Sequence, residues 1–122
     1  ETETLRLFGY SSPEHINVEK FKLQKNVKSG DKLAFSFSLS TDQAALGKCR
    51  IEFAIDFVKA NGSRNRKIFK VSEADYTEPT KNVDKYFSFK KISTRKYYAG
   101  QHKLSIIING VGKTSRSFNL TA

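Results

Sequence analysis

The chain of 122 residues contains no methionine, no tryptophan, two prolines and one cysteine. A lone Cys49 cannot close an internal disulfide, so the fold must stand on its core. A chain of this length can do that, because it buries about two thirds of the surface its unfolded form exposes. Such cysteine use fits a reducing compartment, and the location expected is cytoplasmic. No apolar run is longer than Ile106 to Ile108, far short of the ~18 residues that span a membrane, and no signal peptide opens the sequence. No membrane partner is therefore expected. The missing methionine and the start at Glu1 predict a piece of a longer protein or a processed chain.

Sustained helical periodicity is lacking as well, and Thr41 to Gly47 makes at most one turn. Alternation at period two takes its place, with turn signals between the runs, and that is the pattern of β-strands. Leu33, Phe35, Phe37 and Leu39 alternate with Ala34, Ser36 and Ser38; Cys49, Ile51, Phe53, Ile55 and Phe57 alternate with Arg50, Glu52, Ala54 and Asp56. Phe87 and Phe89, then Leu104, Ile106 and Ile108, then Phe118 and Leu120 continue it. The pattern predicts an all-β fold, an immunoglobulin-like β-sandwich of about seven antiparallel strands at 16–25, 32–40, 48–59, 66–71, 84–91, 101–109 and 113–120. A closed barrel is the alternative. Residues 1–15 read as a lead-in segment or the remnant of a linker, and 16–122 as the sandwich domain.

Acidic residues are scarce, 12 against 22 Lys plus Arg, for a formal charge of +10. If successive strands run antiparallel, the first, third and fifth connections share one end. That end collects Lys25, Lys28, Lys32, Lys59, Arg64, Arg66, Lys67, Arg95 and Lys96 against Asp31 alone. The other end is near neutral, with Asp42, Glu73, Asp75, Glu78 and Asp84 beside Lys48, Lys81, Lys85 and Lys113. A polarised basic surface fits a polyanion, with nucleic acid the commonest, and equally fits a solvated face with nothing to bind. Tyr97 and Tyr98 sit beside the cations. A tyrosine there can stack on a base or bond a phosphate, or tie down the turn at a sandwich corner. Asn61-Gly62 is a turn pair, and its glycine would also let backbone approach a phosphate closely.

Groups for catalysis are few. His15 and His102 are the only histidines; His102 shares its face with Leu104 and Ile106, which predicts a packed or hydrogen-bonded ring. Cys49 falls on the inward face of its strand and reads as core filler. Neither zinc-spaced ligands, a phosphate-cradling glycine loop nor a nucleophile elbow occurs, so no catalytic residue, metal, cofactor or small-molecule substrate is expected. Asn61-Gly62-Ser63 and Asn119-Leu120-Thr121 match the glycosylation acceptor pattern. They keep a second function open: an extracellular immunoglobulin-like adhesion or protein-binding module, its charge serving solubility or an anionic glycan.

Three segments, FSFSLST (35–41), FVKANGSRNRKIFKV (57–71) and ISTRKYYAGQHKLSIIING (92–110), carry a family resemblance. Residues 16–120 resemble the C-terminal immunoglobulin-like domain of bacterial AlkC-type DNA alkylation repair proteins, which are built on HEAT-like helical repeats. The family pattern has Pro at the position of Ala99 and Ser-Pro-Lys at Asn65-Arg66-Lys67. The resemblance implies a part in repairing alkylated DNA, where the parent glycosylase cleaves the glycosidic bond of N-alkylated purines. Its catalytic carboxylate belongs to the helical-repeat domain, so no catalytic residue carries over. What carries over is the KANG loop (Lys59 to Gly62) and the TRKYY corner (Thr94 to Tyr98). The expected function is a non-catalytic accessory domain whose partners are double-stranded DNA and the helical-repeat domain of the same parent chain. Lys59, Arg64, Arg66, Lys67, Arg95 and Lys96 would meet phosphates or enter the minor groove, with Asn61 and Gly62 at the closest approach and Tyr97 beside them.

Overall fold

A computed structural model describes residues 9–92 and 95–122. After a single 3₁₀ turn at Pro13–His15, these residues form eight strands: β1 (Asn17–Leu23), β2 (Asn26–Lys28), β3 (Lys32–Ser40), β4 (Gly47–Val58), β5 (Arg64–Tyr76), β6 (Thr80–Ser88), β7 (Gly100–Ile108) and β8 (Val111–Thr121). Two sheets face each other as an immunoglobulin-like sandwich, one of order β1-β3-β6 and one of order β2-β8-β7-β4-β5. The alternation that predicts the strands is the alternation of burial. In β3, Leu33, Phe35, Phe37 and Leu39 point into the core while the residues between them are half-buried. The central strand β7 is buried on both faces along its second half, Ser105 and Ile107 included.

The structure corrects the expected strand set in three places. The stretch 16–25 holds β1 alone, after which the chain changes sheets: β2 runs parallel to β8, pairing Asn26–Lys28 with Asn119–Thr121, so the sandwich is not wholly antiparallel. Gln24 makes the break. Its amide donates to the Ala34 carbonyl (3.2 Å), its Oε1 accepts from the Ala34 amide (3.1 Å) and its Nε2 donates to the Asn26 carbonyl (2.8 Å), which ends β1 as the chain crosses over. Side-chain parity continues through the crossing, so alternation alone does not reveal it. The expected strand 66–71 is the 13-residue β5, an edge strand whose exposed polar residues blur the alternation at both ends. The expected strand 84–91 begins at Thr80 and ends at Ser88. Asp84 and Lys85 thus lie in mid-strand opposite Ser36 and Phe35, rather than at the end of the sandwich.

The core is phenylalanine-rich. Phe53, Phe57, Phe87 and Phe89 meet edge to face or tilted at 5.1 to 6.3 Å between centroids, geometries that suit the ring quadrupole. Three connections gather at one end beyond this cluster. Phe89 donates its amide to Asp31 (2.9 Å) and accepts from Gly30 (3.2 Å), joining 24–31 to 89–99, and the 59–63 hairpin lies against 95–98. At the other end Leu46 donates to Glu78 (2.9 Å) and Thr41 to Pro79 (3.1 Å). The lead-in residues 9–15 are fastened there: Ser11 donates its amide to Lys48 (2.9 Å), and Asn109 Nδ2 donates to the Ser11 carbonyl (2.8 Å). Residues 1–8 of the expected lead-in lie outside the described residues, as do Ser93 and Thr94 of the TRKYY corner. Among the described residues no helix is long and apolar enough to cross a membrane, and no group of three or more His, Cys, Asp or Glu could hold a metal.

Candidate nucleic-acid interface

The first wall of the site is the hairpin joining β4 to β5. Gly62 donates its amide to the Lys59 carbonyl (3.0 Å), and Lys59 donates to the Ser63 carbonyl (2.7 Å), closing a three-residue loop between them. Gly62 has a φ of +85°, while Asn61 is not among the residues of positive φ. This is a turn followed by a left-handed glycine, not a two-residue turn with both central residues left-handed. Asn61 serves the turn with its side chain, Oδ1 accepting from the Ser63 amide (3.0 Å) and hydroxyl (2.7 Å).

The second wall is 95–98, the run-in to β7. Tyr97 lays its half-buried ring on the core, with centroids 5.5 Å from Phe57, 6.2 Å from Phe87 and 5.0 Å from Phe89. Its structural part is therefore ring packing, and among the described residues no hydroxyl tie to the corner occurs. Arg95 stands over Phe57 and Phe69, and the Lys96 ammonium sits 5.2 Å over the Tyr98 ring. Cations held on aromatic faces keep their charge at the surface while their stems stay ordered.

Between the walls lies an open groove of about 460 Å³. Lys59, Lys67, Arg95 and Lys96 line it with Asn61, Asn65, Tyr97 and Tyr98, over a floor that includes Phe57 and Val58, and no carboxylate is among its described lining residues. Of the nine residues expected at the interface, Lys59, Asn61, Lys67, Arg95, Lys96 and Tyr97 are brought together here, and Gly62, Arg64 and Arg66 do not line the groove. Strand parity explains the division. Asn65 and Lys67 pair with the inward Phe57 and Ile55, whereas Arg64 and Arg66, of opposite parity, stand on the outer face of β5. There Arg64 donates to the Gln101 carbonyl (3.2 Å), and Arg66 lies 3.5 Å from the Asp56 carboxylate. Asn65 lines the groove without being among the nine. Parity counted from Phe57 across the hairpin would have found it.

Beneath the groove His102 is fully buried. Its Nδ1 accepts the Val58 amide (3.1 Å), and its Nε2 lies 2.9 Å from the Tyr98 carbonyl, so the ring is neutral with its proton on Nε2. Burial lowers its pKa from the ordinary 6.5; the Tyr98 bond opposes that shift, and the Arg64 charge adds to it. Cys49, also fully buried, has its thiol pushed up to about 11, chiefly by burial.

The family model described as "Uncharacterised protein YhaZ, C-terminal Ig-like domain" matches residues 17–122. The uncharacterized protein YhaZ of Bacillus subtilis (strain 168) is 42% identical over 122 residues, which cover 98% of this chain and 34% of that protein. Among solved structures, the Pseudomonas fluorescens alkylpurine DNA glycosylase AlkC, bound to DNA containing an abasic site analog, aligns at a TM-score of 0.88. Its identity is 25%, over 99% of this chain and 34% of that one. A β-glucosidase from Listeria innocua aligns at 0.69 with 12% identity, over 88% of this chain and 16% of that one, a likeness of fold alone. The chain thus spans about a third of the length of YhaZ and of AlkC. With the family model covering nearly all of the sandwich and a relative this similar along its length, the chain belongs to the family of YhaZ C-terminal Ig-like domains.

Proposed function

We propose that this chain is a non-catalytic accessory domain of a DNA alkylation repair protein and that it grips duplex DNA in the groove between 59–63 and 95–98. The repair chemistry, release of an alkylated purine by a glycosylase, belongs to a helical-repeat domain of the same parent protein. One observation carries the reading: four cations surround a groove without a carboxylate among its described lining residues, in a fold that aligns almost end to end with part of a DNA-bound alkylpurine glycosylase. Lysine and arginine at such a groove neutralise backbone phosphates, which fixes the register of a protein on DNA without reading sequence. Asn61 and Asn65 add amide groups that bond phosphate or a minor-groove edge.

Fluorescence anisotropy of a short duplex, titrated with the chain at several salt concentrations, tests this. Four neutralised phosphates would lower affinity on the order of a hundredfold between 50 and 200 mM salt. No binding at low salt, or a response flat in salt, would sink the proposal.

A further inference from the structure

We infer that His102 is the positioning residue of this groove: its neutral ring clamps the β4 hairpin to the 95–98 wall, and acid that protonates it opens the groove and weakens DNA binding. The affinity half of this inference rests on the DNA-binding reading above; the clamp itself does not. Each ring nitrogen holds a different wall. Nδ1 accepts from Val58, the last residue of β4 before the hairpin, and Nε2 donates to Tyr98 in the opposite wall. The ring has little room to turn, since it stacks on Phe118 (5.4 Å, 16°) and meets Phe57 at 5.9 Å and Phe89 at 6.1 Å. The backbone fits as closely: a Cβ on Gly100 would come within 3.3 Å of Val58 Cγ1.

A second proton has nowhere to go. It would place an N–H on Nδ1 against the Val58 N–H, donor against donor, so one of them must move. No carboxylate compensates among the described groups that face the ring: β4 presents Phe57 and Val58, β8 presents Phe118, and the 89–98 segment presents Phe89 and the Tyr98 carbonyl, while the Arg64 cation acts on it from the outer face of β5. The sign of the pH effect is the distinguishing mark. A histidine that lines a phosphate site adds positive charge on protonation and tightens the grip; this one loosens it by releasing a wall.

The test is an NMR titration of the 122-residue chain from pH 8 to pH 5, following the His102 ring, the Val58 amide and the Ala99 amide that reports on the Tyr98 carbonyl. Duplex anisotropy is measured in parallel at fixed ionic strength. The expected result is that both amides shift and the Val58 amide loses exchange protection as the ring protonates, while affinity falls about tenfold per pH unit below the ring's titration point. His102→Gln carries no titrating proton, so its affinity, whatever its size at pH 8, should not fall across the same acid range. Amides that stay fixed while the ring titrates, affinity that holds or rises with acid, or a ring that stays neutral down to acid unfolding would each overturn the inference. If no duplex binds at any pH, the DNA reading fails, and the two amides alone decide the clamp. The titration of the unaltered chain distinguishes these outcomes even if His102→Gln does not fold.

Discussion

Arg95 rests on Phe57: the guanidinium carbon stands 5.7 Å from the ring centroid, and a second ring, Phe69, lies 5.9 Å away. Phe57 is buried in the core, so the cation is fixed to the rigid part of the sandwich while its side lines the groove. Arg64, 31 positions earlier and equally basic in the sequence, instead gives an N–H to the Gln101 carbonyl on the outer face.

The two arginines should therefore differ as DNA contacts. Arg95→Ala is expected to weaken duplex binding by about tenfold at moderate salt and to reduce the slope of log affinity against log salt by about one. Arg95→Lys should keep the slope and lose part of the affinity, because an ammonium lacks the planar fork and stacks less well. Arg64→Ala should do clearly less than Arg95→Ala. Anisotropy titrations of the three variants decide it, and equal losses at Arg64 and Arg95 would move the contact surface off the groove.

Tyr97 separates a packing role from a contact role. Its ring adjoins three core phenylalanines, so Tyr97→Ala should lower unfolding stability by about 2 to 3 kcal/mol, while Tyr97→Phe should stay within about half a kcal/mol of the parent. Urea unfolding measures both. If Tyr97→Phe keeps its stability but loses DNA affinity severalfold, the hydroxyl bonds the nucleic acid and the ring is more than a wall.

Most of the fold was legible because burial in a sandwich has the same period as the strand itself. Leu33 to Leu39 and Cys49 to Phe57 mark their strands and their inward faces without ambiguity. The crossing at Gln24 was not legible, since it depends on one side chain satisfying backbone groups of β2 and β3 at once. The basic end was visible as a cluster in the chain, but its division into two faces was not drawn from it. That division follows from pairing Phe57 with Asn65, which needs the length of the hairpin loop. His102 was legible as a buried ring; its two partners, Val58 and Tyr98, were not, because neither is close to it on its own strand.

Cys49 should behave as an inert thiol. With burial as the main cause, its pKa stands at about 11, and the thiolate that reacts with disulfide reagents is almost absent at pH 8. The Sγ also lies 3.5 Å from the Leu46 carbonyl within the packed end of the sandwich. An aromatic disulfide reagent at pH 8 should label the native chain no faster than it unfolds, and should label it at once in denaturing urea. Rapid labelling without urea would mean that the end near Leu46 opens locally.

His102 should make the fold itself sensitive to mild acid. A histidine whose folded pKa lies below the ordinary 6.5 binds fewer protons when folded than when unfolded, so stability rises with pH across the interval between the two values. At neutral pH and above, the ring is neutral in both states and contributes no pH dependence. As pH falls through 6.5 the unfolded chain takes up its proton first, and stability drops by up to about 1.4 kcal/mol per pH unit until the folded ring protonates too. Urea midpoints at pH 7.5, 6.5, 5.5 and 5.0 should fall in the parent chain below 6.5. They should fall less in His102→Gln, which removes this proton from both states. The difference between the two curves, rather than either alone, isolates His102, because exposed His15 and the carboxylates are common to both chains. If the curves run parallel, the burial of His102 is not what limits stability in acid.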